Sequence, residues 1–176
     1  MSTSAASAAV HRPARSLSLP GILLGIGLGG FVDGIVLHQI LQWHHMLTSE
    51  GSYPATTVAG LETNTLWDGL FHAATWIATA AGVWLLWARA REGGGWSGRH
   101  LLGLVLAGFG SFNLVEGTVN HHVLGIHHVR GGDDQAIYDL AFLASGALLL
   151  IGGLVLARRG ERATRISSKG SPARRT

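Results

Sequence analysis

The chain has 176 residues, 47% of them hydrophobic and only 13% charged, with a formal net charge of +3. Soluble domains usually carry about 25% charged residues, so a mean hydropathy of +0.31 and this charge content argue against a soluble enzyme or a disordered chain. There is no cysteine, which excludes a disulfide scaffold, a thiolate nucleophile and cysteine-ligated zinc or iron–sulfur centres.

Four apolar stretches each approach the roughly 20 residues that a bilayer-crossing helix needs. The first covers residues 19–47 and is interrupted by Asp33, His38, His44 and His45. The second, 66–88, carries Asp68 and His72 near its start, and the third, 101–123, carries Glu116, His121 and His122. The fourth, 137–157, contains Asp139 alone. The expected fold is therefore all-α, an integral membrane four-helix bundle over 19–159. A tail, 1–18, precedes it and a flexible basic tail, 160–176, follows.

Orientation follows from the basic residues. Arg12 and Arg15 precede the first stretch, and Arg89, Arg91 and Arg99 separate the second from the third. Arg158, Arg159, Arg162, Arg165, Lys169, Arg174 and Arg175 follow the fourth, and only Arg130 stands elsewhere. The positive-inside rule then places both termini in the cytoplasm of a bacterial inner membrane. The isoelectric point near 10.2 belongs mainly to the terminal basic run, which suits anionic lipid. No aromatic-lined or helix-turn-helix pattern accompanies it, so nucleic acid is not an expected partner.

An internal duplication organises the polar residues. The segment Val32-Asp33-Gly34-Ile35-Val36-Leu37-His38 through His44-His45 aligns without a gap on Val115-Glu116-Gly117-Thr118-Val119-Asn120-His121 through His127-His128, Asp33 falling on Glu116. The shared pattern is V-[DE]-G-x-V-x-H-x-x-L-x-x-H-H. Trp67-Asp68 and Phe71 correspond more weakly to Tyr138-Asp139 and Phe142. Two parallel two-helix repeats, 19–90 and 100–159, are expected, related by an axis along the membrane normal.

At 1.5 Å per residue, His38 lies about 28 Å along the first helix, near the outer boundary of the hydrocarbon core. Asp33 is deeper, and His72 enters from outside to a similar depth. If the helices stay regular, His38, His72 and His121 form an inner cluster with Asp33 and Glu116. His44, His45, His127 and His128 then form an outer ring, with His122, Asp68 and Asp139 as further outer or supporting groups. Asp68 and Asp139 also stand at the starts of apolar runs, where helix N-capping is the alternative role.

Ionisable groups inside a membrane are costly and generally functional. Imidazole with carboxylate suits iron, zinc or manganese, and imidazole also suits copper; bundles commonly assemble such sites from facing helices. The expectation is a metal site of His38, His72, His121, Asp33 and Glu116, mononuclear or dinuclear, holding iron, copper or zinc. The alternatives are a b-type haem held by His38 and His121 as an electron carrier, and a metal-free hydrogen-bonded core. The inner halves of the helices carry no ionisable group, so access from outside is favoured over a crossing path.

At these residues the chain resembles a family of bacterial integral membrane proteins with no settled activity. They share the D-G…H…H-H and E-G…N-H-H…H-H segments on four helices, and the likeness covers residues 19–159. The resemblance implies the same topology. It also implies a setting beside terminal-oxidase assembly components, and so a role around copper or haem in respiration. The partners read from the chain are the lipid bilayer and a second copy of itself.

Overall fold

Long apolar runs in a bilayer satisfy their backbone polar groups only as helices or closed barrels, and here they form helices. The computed structural model describes residues 16–49, 51–93 and 95–169. Arg12, Arg15, Arg174 and Arg175, used above for orientation, lie outside them. Helix α1 spans Ser18–Phe31 and widens without a break into a π-helical segment, Val32–Ile40. Helix α2 spans Val58–Ala90, α3 spans Gly98–Glu116 with a π-helical continuation Gly117–Val123, and α4 spans Gln135–Lys169. Four stretches are long and apolar enough to cross a membrane: Ser18–Ile40, Val58–Ala90, Gly98–Val123 and Gln135–Thr164. No strand occurs among the described residues.

Three boundaries differ from the sequence reading. The first helix stops at Ile40 instead of running to residue 47, which changes where His44 and His45 lie. Helix α2 begins at Val58, because the Thr57 hydroxyl caps it by accepting the Gly60 N–H at 3.1 Å. Asp68 is therefore interior to α2 and not its N-cap. Helix α4 runs on through Lys169, past the apolar stretch.

Helices α1 and α3 form the centre, with α2 packed on α1 and α4 on α3. Among the described residues the backbones of α2 and α3, and those of α1 and α4, do not come close, and α2 meets α3 through the Phe71 and Phe112 rings, 6.0 Å apart. The central crossing depends on missing side chains. A Cβ on Gly25 would stand 2.7 Å from the Gly108 Cα, and at the α3–α4 pairing one on Gly103 would stand 2.6 Å from the Gly153 carbonyl. Such contacts let helix backbones approach closely where lipid supplies no hydrophobic drive.

The sorting of side chains is inverted relative to a soluble protein. Large apolar residues face outward, with Leu148 74% and Val115 62% exposed, while Asp33, His38, Asn64, Asp68 and Glu116 are buried. Apolar surface that extensive belongs against lipid. At one end of the helices Arg91 sits over Trp87 at 4.8 Å. At the other, Arg130 contacts the rings of Trp43 and Tyr138, as at interfacial aromatic belts.

Substituting Gly25 by Val should lower stability by about 1–3 kcal/mol through overpacking of the α1–α3 crossing. Gly69, with open space around it, gives the control: Gly69→Ala should leave stability unchanged or slightly higher. Thermal unfolding of both variants in detergent measures the difference.

Candidate metal centre

The two π-helical segments decide the geometry of the site. The Leu41 N–H reaches the Val36 carbonyl at 2.8 Å, and the Leu124 N–H reaches the Val119 carbonyl at 2.8 Å. Trp43 N–H then bonds Leu37 O at 2.9 Å and Ile126 N–H bonds Asn120 O at 3.1 Å. Between them Gln42 and Gly125 take positive φ of 50° and 60°. Glycine adopts that region freely and glutamine pays for it. Both chains thus turn back on their own helices, and His44 and His127 fold inward. The expected division into an inner cluster and an outer ring is overturned here, because it assumed regular helices.

His38, His44, His121 and His127 are all buried and meet at the centre. The rings of His44 and His127 stack at 4.8 Å with 7° between planes. His38 stands edge-on to His44 at 4.4 Å, and His121 edge-on to His127 at 5.1 Å. The carboxylates of Asp33 and Glu116 face them. Asp33 lies 3.3 Å from His38 Nε2 and 4.0 Å from His44 Nε2, while Glu116 Oε1 lies 3.2 Å from His121 Nε2 and 2.7 Å from His127 Nε2.

An outer set of acceptors fixes the rings. His38 Nδ1–H donates to Asp68 at 2.9 Å, and His121 Nδ1 lies 3.2 Å from Asp139. His44 Nδ1–H donates to the Val129 carbonyl at 2.8 Å and His127 Nδ1–H to the Met46 carbonyl at 3.1 Å. Asp68 also accepts from His45 (2.6 Å) and the Met46 N–H (3.0 Å). Asp139 accepts from His128 (2.7 Å) and the Val129 N–H (2.9 Å). Asp139, like Asp68, is thus occupied by histidine and loop backbone and not by a helix start.

Two of the expected residues stand apart. His72 donates from Nδ1 to the carbonyl of Asp68, four residues back, at 2.8 Å. Its ring lies behind the α1 π segment, where a Cβ on Gly34 would meet it. Similar depth did not bring it to the centre. His122 is exposed and donates to the Gly117 carbonyl at 2.8 Å. Conversely, the sequence reading had not singled out Asn64, which is fully buried and accepts the Leu47 N–H at 2.9 Å. It also missed the Met46 and Val129 carbonyls. The only early hint of the inward turn was Gly125, a residue suited to positive φ just before His127.

With their Nδ1 protons held by Asp68 and the Val129 carbonyl, neutral His38 and His44 present a lone pair at Nε2. His127 Nε2 is hydrogen-bonded to Glu116 Oε1 at 2.7 Å, and the other Nε2 atoms face carboxylates, an arrangement that a proton or a bound cation stabilises. Nε2 of His38 and His44, both ring nitrogens of His121 and Oε2 of Glu116 are buried without a hydrogen-bond partner. Ligand atoms of His38, His44 and His127 lie within 4.8 Å of one another, as do those of Glu116, His121 and His127. Either set could hold a metal ion, and His127, with Nδ1 on the Met46 carbonyl, has only Nε2 to offer to one of them at a time.

Burial, reinforced by His127 and His38, holds the His44 imidazole neutral and lowers its pKa from 6.5 to about 3. The unfolded chain therefore takes up this proton first as pH falls. The associated stability is complete above about pH 6.5 and is lost toward about pH 3. His44→Gln should flatten the fall in unfolding temperature between pH 7 and 4 in metal-free protein. Equal slopes for variant and wild type would contradict this assignment.

Comparison with curated proteins and with solved structures gives no match. A family model does match, over residues 20–160, a range that includes every side chain of the centre. The chain accordingly belongs to the family described as predicted membrane protein (DUF2243).

Proposed function

We propose that this membrane protein is a metalloprotein whose Asp33, His38, His44, Glu116, His121 and His127 hold one or two transition-metal ions near the extracytoplasmic face. The observation that carries this reading is the common posture of four buried histidines. Each turns Nδ1 toward an oxygen, at hydrogen-bond distance for His38, His44 and His127 and at 3.2 Å for His121. Each leaves Nε2 toward the shared centre. Metal-ligating histidines are characteristically oriented in this way. Mixed imidazole and carboxylate donors suit iron, manganese or zinc, and imidazole-rich sets also suit copper. Such an ion would supply redox or Lewis-acid chemistry, while the chain's own groups fix the imidazole tautomers and exclude solvent.

The haem alternative fits less well, because the stacked His44 and His127 rings occupy the space between His38 and His121. Each of these two rings contacts both: His44 at 4.4 and 6.4 Å, His127 at 5.9 and 5.1 Å. An approach for a hydrated ion exists on the loop side, where a cavity of about 450 Å³ is lined by Gln39, Gln42, Thr48, His44 and His45. The duplicated motif supports two equivalent half-sites, and the family resemblance, which implies a setting beside terminal-oxidase assembly components, favours metal handling or redox chemistry in the respiratory membrane. Basic residues Arg89, Arg91, Arg99, Arg158, Arg159 and Arg162 stand at the helix ends away from the centre, which supports an extracytoplasmic site.

Elemental analysis of the purified protein, as isolated and after incubation with iron, copper or zinc, should show stoichiometric metal without a haem absorption band. His38→Ala, His44→Ala and His127→Ala should each lose most of it, while His72→Ala and His122→Ala keep it. Asp68→Asn should weaken affinity about 10- to 100-fold. Helical content and thermal unfolding recorded beside metal content separate loss of ligand from loss of fold. A folded wild type that takes up no metal would leave a hydrogen-bonded core instead.

Orientation is tested independently. Ser52→Cys should react with a membrane-impermeant maleimide in intact cells, and Gly95→Cys only after permeabilisation. The reverse pattern would turn the centre toward the cytoplasm.

A further inference from the structure

The histidine posture that marks the centre recurs once in each half outside the six donors. His45 Nδ1–H donates to Asp68 at 2.6 Å and His128 Nδ1–H to Asp139 at 2.7 Å. Each keeps only Nε2 for another partner, and both side chains are partly exposed, by 16% and 20%. Their surroundings differ. His45 lines the polar loop-side cavity of about 450 Å³ together with Gln39, Gln42, Thr48 and Thr65, and His44 reaches the same cavity from the centre. Gln39 donates its amide N–H to Asp68 at 3.4 Å, so its side-chain carbonyl is the end left to a ligand.

Gln42 holds a positive φ of 50° where the aligned Gly125 has 60°. Glutamine bears backbone strain there that glycine does not, and what accompanies the strain is an amide on the cavity wall. The second half offers neither amide at the aligned positions. Gly125 has no side chain, and His122, aligned with Gln39, is bonded to the Gly117 carbonyl.

We propose that this cavity is a receiving site for a hydrated divalent transition-metal ion, bound first by His45 Nε2 and the side-chain carbonyls of Gln39 and Gln42 and then drawn into the centre by His44. A hexahydrated ion, at about 30 Å³ per water, fills less than half the cavity and enters with its shell intact. Imidazole and carbonyl oxygen are donors that zinc, cobalt or iron accepts, and the Asp68 carboxylate behind His45 raises the basicity of its ring. His44 and His45 are consecutive and both reach the cavity, so the ion changes ligands without returning to bulk water. The inference rests on the metalloprotein reading and adds a direction of loading to it, through the first half of the chain and not the second.

The test follows cobalt(II) uptake by metal-free full-length protein in phospholipid nanodiscs, with ligand-field absorption giving the rate and elemental analysis the final content. His45→Asn keeps a donor for Asp68 and removes Nε2. It should slow uptake about tenfold, the scale on which loss of one oriented group weakens a metal site, with final content unchanged. His128→Asn makes the same change beside Asp139 and should load at the wild-type rate. Gln42→Gly should also slow uptake while its unfolding temperature holds or rises, because the strain is relieved. Wild-type rates in His45→Asn or Gln42→Gly, or equal slowing in His128→Asn, would overturn the proposal while the loaded centre upholds the metalloprotein reading. A final content in His45→Asn as low as in His44→Ala would put His45 inside the centre and overturn it as well. A folded wild type that takes up no metal would bring down both readings.

Discussion

The structure turns on how four imidazoles are oriented. Nδ1 of His38, His44 and His127 is held by Asp68 and two loop carbonyls, and Nδ1 of His121 lies 3.2 Å from Asp139, which turns the four Nε2 atoms toward one another. Those acceptors set the tautomer, and the tautomer sets what the centre offers to a ligand. In a low-dielectric environment this matters more than in water, since an unpaired polar atom there is costly. Asp68 and Asp139 extend the same control outward. Each ties its histidines to the loop that brings the neighbouring histidine inward.

Close helix packing is the second requirement. A centre assembled from α1, α3 and their returning loops needs the two helices near enough for side chains as short as Asp33 to reach the rings. Glycines at the crossing permit that approach, and the large apolar side chains displaced from the interior become the lipid-facing surface. The same arrangement leaves crevices beside α1 and α3, because helices that contact in the order α2, α1, α3, α4 do not close as a square bundle does.

Much of this was legible in the residues. The four apolar stretches, the all-α class and the clustering of histidines with Asp33 and Glu116 follow from hydropathy and spacing. The placement of His44 and His127 did not, because hydropathy carries no mark of a π-helical widening and a fixed 3.6-residue period misassigns every side chain after it. Gly125 hinted at a left-handed residue, but at the aligned position Gln42 gave no such hint. His72 shows the opposite failure: its depth was estimated reasonably, yet depth alone does not say which side of a neighbouring helix a ring occupies. The alternative N-cap role for Asp68 fails because Thr57, a stronger start signal, lies outside the apolar window that defined the helix.

The paired bonds from His44 to the Val129 carbonyl and from His127 to the Met46 carbonyl have a wider consequence. Each half of the chain orients its central histidine using backbone supplied by the other half. Neither half can therefore mature its donor set alone, and the centre is a property of their association. Damage to one loop is felt as disorder of the opposite histidine, so substitutions in the two loops should be non-additive although they lie some eighty residues apart in sequence. Assembly of the centre thereby becomes a checkpoint on the folding of the entire chain.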